Sequence, residues 1–76
     1  MLFKVFYQED KDVTPRRENT RTMYVEIDAK DKLDGTIKLR TLIAEKTNHQ
    51  IEFIDLLTDS AAAYEKETTN FELTEL

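Results

Sequence analysis

Leu2 to Glu9 alternates strictly, with Leu2, Lys4, Phe6 and Gln8 on one side and Phe3, Val5 and Tyr7 on the other. That period of two is the signature of a strand. Aromatic side chains on both sides require both faces to be covered. A chain of 76 residues has little material to cover them with, because a domain this small buries only about 60% of the surface its unfolded form exposes. The fold is therefore expected to be built around this strand as a central or heavily covered member of a small sheet, over a thin core. No cysteine is present to staple it.

The rest of the chain supplies few further elements. Asp10 to Asn19 is polar, holds the only proline, Pro15, and reads as a loop. Thr22 to Ile27 alternates Met23, Val25 and Ile27 against Thr22, Tyr24 and Glu26, a second strand. Asp34 is placed to cap a helix running from Gly35 to about Asn48, in which Leu39 and Ile43 form an i, i+4 pair facing the sheet. Gly35, early in that helix, weakens it. Gln50 to Leu57 alternates Ile51, Phe53, Asp55 and Leu57 against Glu52, Ile54 and Leu56, a third strand. Thr58-Asp59-Ser60 is turn chemistry leading to a fourth short strand around Ala62 to Glu67, although Ala61-Ala62-Ala63 can instead open a helix. The expected fold is α+β: a small antiparallel sheet with one helix on one face, in the order β-β-α-β-β. Residues 1–76 are expected to be a single domain, with 68–76 a C-terminal docking strand or tail. Val5, Tyr24 or Val25, Leu39, Ile43 and Phe53 are the expected core.

Charge narrows the function. The net charge of −5 is uneven: residues 49 to 76 carry Glu52, Asp55, Asp59, Glu65, Glu67, Glu72 and Glu75 against Lys66 alone. Phosphate backbones are bound through clustered Lys and Arg, so no direct nucleic-acid binding is expected, and a basic protein partner fits better. No apolar run approaches the ~20 residues needed to span a bilayer. The start, Met-Leu-Phe-Lys-Val-Phe, has neither a basic n-region nor a long apolar h-region, so no export signal is expected.

Candidate chemistry is sparse. His49 is the only histidine and has no cysteine to share a metal with, which makes it a capping or surface residue. One serine, Ser60, and one glycine, Gly35, exclude the usual nucleophile elbow and phosphate-cradling loop. No catalytic, cofactor or metal site is expected. Binding is the better expectation. Arg16 and Arg17, with Lys11 and Arg21, form the only basic cluster, interleaved with Asp10, Asp12 and Glu18 in a self-screening pattern. Arg40 can reach a partner carboxylate or a neighbouring acid of its own domain. Tyr64, Phe71, Leu73 and Glu75 combine apolar anchors with acids, the composition of a docking strand or of a last strand closing its own sheet.

Five blocks carry a family resemblance: Lys4 to Glu9 (KVFYQE), Tyr24-Val25-Glu26, Leu39-Arg40 with Ile43, Ile51-Glu52-Phe53-Ile54, and Asn70 to Leu76 (NFELTEL). In order, spacing and chain length they resemble the small epsilon, or omega-1, subunit of DNA-directed RNA polymerase from Gram-positive bacteria. The resemblance covers nearly the whole chain apart from the loop at 10 to 19 and the stretch from Asp28 to Asp34, which is longer and more charged than the family pattern. It implies a cytoplasmic, non-catalytic accessory subunit that docks on core RNA polymerase subunits and modulates transcription; separately, the chain is expected to be a monomer in isolation. The resemblance also implies a one-helix, small-sheet fold similar to that of a small phage inhibitor of the same enzyme. The alternative is an acidic nucleic-acid mimic occupying a basic channel of a protein partner.

Overall fold

The computed structural model describes residues 1–12, 14–68 and 71–76. Leu2–Gln8 forms β1, Arg21–Glu26 β2, Lys32–Lys46 α1, Gln50–Leu56 β3 and Asp59–Thr68 α2, and a 3₁₀ turn at Arg17–Asn19 lies between β1 and β2. β1 is the middle strand, as its two apolar faces demand, antiparallel to β2 on one side and to β3 on the other. β2 and β3 consequently run in the same direction, and α1 connects them.

α1 lies on the face carrying Phe3, Val5, Met23, Val25 and Ile54, and it contributes Leu39 and Ile43; these seven side chains and Ile27 make the buried cluster. The expected Leu39/Ile43 pair is the helix's buried stripe. Its start differs from expectation. Asp31, in extended conformation, is the N-cap and accepts from the Asp34 amide at 2.8 Å. Asp34 sits three residues inside, where its carboxylate accepts from the Lys30 amide at 3.2 Å and pairs with Lys38 at 3.2 Å. The two aspartates thus divide the work of a capping box, and the helix begins earlier than its apolar spacing shows. At the other end no glycine is needed, because the Thr47 amide and hydroxyl both donate to the Ile43 carbonyl.

Two sequence expectations fail in the last third. The segment after β3 is helical, so the order is β-β-α-β-α and the sheet has three strands. Thr58 caps α2, its hydroxyl accepting from the Ala61 amide at 3.1 Å. Three alanines, the best helix formers, then outweigh the weak alternation of Ala62 to Glu67. The second failure is Phe53, which is 57% exposed. The register between β1 and β3 shifts between Phe6 and Tyr7: Phe6 faces Phe53, but Tyr7 faces Ile51. Glu52 is the extra residue of a β-bulge. Beyond it Ile51 joins Ile54 and Leu56 on the α1 side, whereas Phe53 stays on the opposite face beside Phe6, ring centroids 6.2 Å apart. The bulge lets Glu52 reach across β1, where Gln8 Nε2 (3.0 Å) and Thr20 Oγ1 (2.7 Å) donate to its carboxylate.

α2 and the C-terminal segment cover part of that opposite face. Ala61, Ala62 and Glu65 are the partly buried residues of α2, spaced as one helical stripe. Leu73 forms a parallel bridge with Tyr24 on the outer edge of β2, and the Thr74 amide donates to the Tyr24 carbonyl at 2.7 Å.

Candidate partner-binding surface

The residues singled out in the sequence do not gather in one place. Arg16 and Arg17 are exposed at the 3₁₀ turn, and the Arg16 carbonyl accepts from Gln8 Nε2. Of the basic loop only Arg21 is ion-paired among the described residues, with Glu9 at 3.0 Å. Tyr64 stands out from α2, 66% exposed. Phe71 turns inward, its ring 4.7 Å from that of Tyr24, with the Lys66 ammonium 5.7 Å from the Phe71 centroid. Asn70 lies outside the described residues.

Leu73 and Glu75 do share a surface. With Leu76, Val25, Ile27 and Leu42 they line a cavity of ≈ 440 Å³ between the tail, β2 and α1. A second cavity, also ≈ 440 Å³, shares Glu26, Ile27 and Leu42 with it and extends past Asp28, Ile37, Thr41 and Lys38, whose charge is paired with Asp34. Together they form an apolar trough along the β2 flank of α1. Leu73 is 54% and Ile37 56% exposed, and Glu26, Asp28 and Glu75 stand around them. An apolar strip within an acidic rim is the layout in which a few anchors carry affinity and charges steer approach. The sequence pointed to its tail members. Ile37, Leu42, Glu26 and Asp28 were missed because chain folding, not spacing, brings them there.

The electrostatic centre of the other sheet face is the Lys4–Glu65 pair, 2.7 Å apart and with both side chains mostly buried. Tyr24 Oη donates to the second carboxylate oxygen at 2.8 Å. The hydrogen bond from Lys4, then that from Tyr24, holds the Glu65 carboxyl below the usual carboxylate range. The same bond to Glu65 pushes the Lys4 ammonium up against the opposing effect of burial. This cluster is satisfied and ties α2 to β1 and β2.

His49 also joins elements. Its Nδ1 is 2.9 Å from the Glu9 carbonyl and its ring centroid 4.4 Å from that of Tyr7. A carbonyl only accepts, so Nδ1 carries the proton. The expected helix-end cap is instead Thr47, and His49 pins the end of β1 to the start of β3. Among the described residues no group of three or more His, Cys, Asp or Glu is placed to hold a metal ion, and no helix is long and apolar enough to cross a membrane.

Comparison with known proteins identifies one family. The model of the RNA polymerase epsilon subunit family matches residues 2–75. Proteins named DNA-directed RNA polymerase subunit epsilon from Streptococcus pyogenes, strains Manfredo and SSI-1, are each 57% identical over 75 residues, which span 99% of this chain and 99% of theirs.

Proposed function

We propose that this chain, which belongs to the RNA polymerase epsilon subunit family, is a non-catalytic accessory subunit that binds core RNA polymerase in the cytoplasm and modulates transcription. The transferase chemistry resides in the core enzyme, and this subunit acts through contact. The observation that carries this reading is the apolar trough beside α1, where Leu73 and Ile37 are more than half exposed inside the rim of Glu26, Asp28 and Glu75. Exposed apolar strips of this kind are a liability unless a partner covers them. The net charge of −5 favours a basic protein surface over direct contact with nucleic acid. Residues 1–76 act as one folding unit, with the tail from Phe71 onward part of the docking surface.

The test is binding of purified full-length chain to core RNA polymerase, with Leu73→Ser and Ile37→Ser compared with wild type after each is shown to be folded. Both substitutions are expected to weaken binding, each by about 1 kcal/mol or more. Phe71→Ala is a poor probe of docking, because loss of its ring contact with Tyr24 lowers stability first. Affinity that is indifferent to Leu73 and Ile37 yet collapses with salt would favour the alternative, an acidic nucleic-acid mimic in a basic channel.

A further inference from the structure

The β3 flank of α1 has the opposite character. Ile43, Ala44 and Ile51 floor a cavity of ≈ 460 Å³ whose rim includes Lys11, Arg40 and His49, and no acidic residue lines it. In a chain of net charge −5 three basic side chains on one rim need an explanation. Lys4, Arg21 and Lys38 are each paired with a carboxylate, whereas Lys11 and Arg40, like the other lysines and arginines, make no ion pair among the described residues, and of these it is Lys11 and Arg40 that meet on one cavity. His49 is held at that rim by the Tyr7 ring and the Glu9 carbonyl.

A second observation adjoins the first. The outer edge of β3 pairs with no strand among the described residues, while the outer edge of β2 carries the Leu73 bridge. Gln50–Leu56 contains neither lysine nor proline, two of the usual guards against strand addition on an open edge; the bulge at Glu52 is another guard, and it leaves Phe53–Leu56 as the regular part of the edge. Of its two carboxylates, Glu52 is turned across the sheet toward Gln8 and Thr20, and Asp55 lies opposite Lys4 in the register with β1.

We propose that this flank receives an extended segment of core RNA polymerase bearing an acidic side chain beside an apolar one, with the carboxylate held by Arg40 and Lys11. The inference rests on the reading of the chain as a polymerase subunit and adds the chemistry of a second contact. The unpaired cations select a carboxylate. The apolar floor selects a peptide over a bare inorganic anion, which gains nothing from Ile43 and Ile51. The unpaired edge selects an extended backbone, which can satisfy its hydrogen bonds along β3.

The test uses the full chain and core RNA polymerase. Arg40→Glu combined with Lys11→Glu is expected to weaken binding about tenfold or more, whereas Arg40→Lys with Lys11→Arg retains most of it. Both positions are exposed, and a thermal melt of each variant checks that it stays folded. Carbodiimide treatment of the complex is expected to couple the Lys11 amine directly to a carboxylate of a core subunit, read by mass spectrometry. Unchanged affinity of the Glu double variant, or absence of any Lys11 coupling while wild type binds, overturns the proposal. Displacement of the chain from the polymerase by millimolar inorganic phosphate also overturns it, in favour of a simple anion site. A wild-type chain that fails to bind core polymerase refutes the polymerase reading itself, an outcome distinct from the others.

Discussion

Gly35 shows how a residue that weakens a helix in isolation can be required by its packing. A Cβ there would stand 2.6 Å from Phe3 Cζ, 2.8 Å from Cε2 and 3.3 Å from the Ala29 methyl. Phe3 is fully buried, so its ring has nowhere to swing. Gly35 has no positive φ, and its value therefore lies in close approach rather than in backbone freedom. Overpacking costs about 1–3 kcal/mol, while replacing a helical glycine by alanine returns up to about 1 kcal/mol. Gly35→Ala is expected to lower stability by about 1–2 kcal/mol in urea unfolding; a stabilised variant would show that Phe3 can yield. Phe53 carries the converse lesson. Ile43 is 1% exposed and Phe53 57%, so Ile43→Ala should cost about 2–4 kcal/mol and Phe53→Ala less than about 1 kcal/mol, the worth of a partly exposed ring contact. Comparable losses at both positions would argue against the bulge at Glu52.

Among the elements, β1, β2 and α1 were legible because each has one dominant signal: unbroken alternation in the strands, and the Leu39/Ile43 pair in the helix. The boundaries shifted where polar side chains, rather than apolar spacing, decide the end, as at Asp31 and Thr47. α2 was illegible for a different reason. Its buried stripe is Ala61, Ala62 and Glu65, small and charged residues that no hydrophobic period reveals, and what holds it is the reach of Glu65 to Lys4 and Tyr24. That attachment has a pH signature. The Glu65 carboxyl, held below its usual 4.5, contributes stability above that value and loses it as pH falls through the folded-state pKa. The Lys4 ammonium, raised above its usual 10.5, contributes below that value and loses it as pH rises through its own folded-state pKa. The contribution of the pair is flat between roughly pH 5 and pH 10 and decays outside that window. Lys4→Met, similar in length and uncharged, is expected to lower stability at neutral pH by about 1–2 kcal/mol. The gap from wild type should narrow as the pH is lowered below 4.5, where wild type loses its ion pair. Urea unfolding at pH 7 and in acid measures it, and a gap that does not change with pH would mean that α2 is held by packing alone.

Across the whole molecule, α1 separates two flanks of opposite charge. The β2 flank is an apolar trough with an acidic rim, and the β3 flank is an apolar-floored cavity with a basic rim. The sequence located the acids of the C-terminal third, and with them Leu73 and Glu75, because charge is a property of composition. It left Phe71 as either an anchor or a residue closing its own fold, and the ring stands 4.7 Å from that of Tyr24. It left Arg40 beside Lys11 and His49 unrecognised, because residues so far apart in the chain meet only after the strands have paired. Two complementary flanks on one helix would fix orientation on a partner as well as affinity, since a subunit docked the wrong way round would set like charges against each other. Rim and anchor then separate in kinetics. Glu75 is exposed at the rim, so Glu75→Gln is expected to lower the association rate with core polymerase and to reduce its salt dependence, with little change in dissociation. Leu73→Ser, which removes an anchor, is expected to leave the association rate nearly unchanged and to speed dissociation several-fold. Stopped-flow or surface-capture kinetics at two ionic strengths resolve the two effects. If Glu75→Gln speeds dissociation while Leu73→Ser slows association, the acid is a buried contact and the leucine is not, and the trough would not be the surface through which this subunit is held.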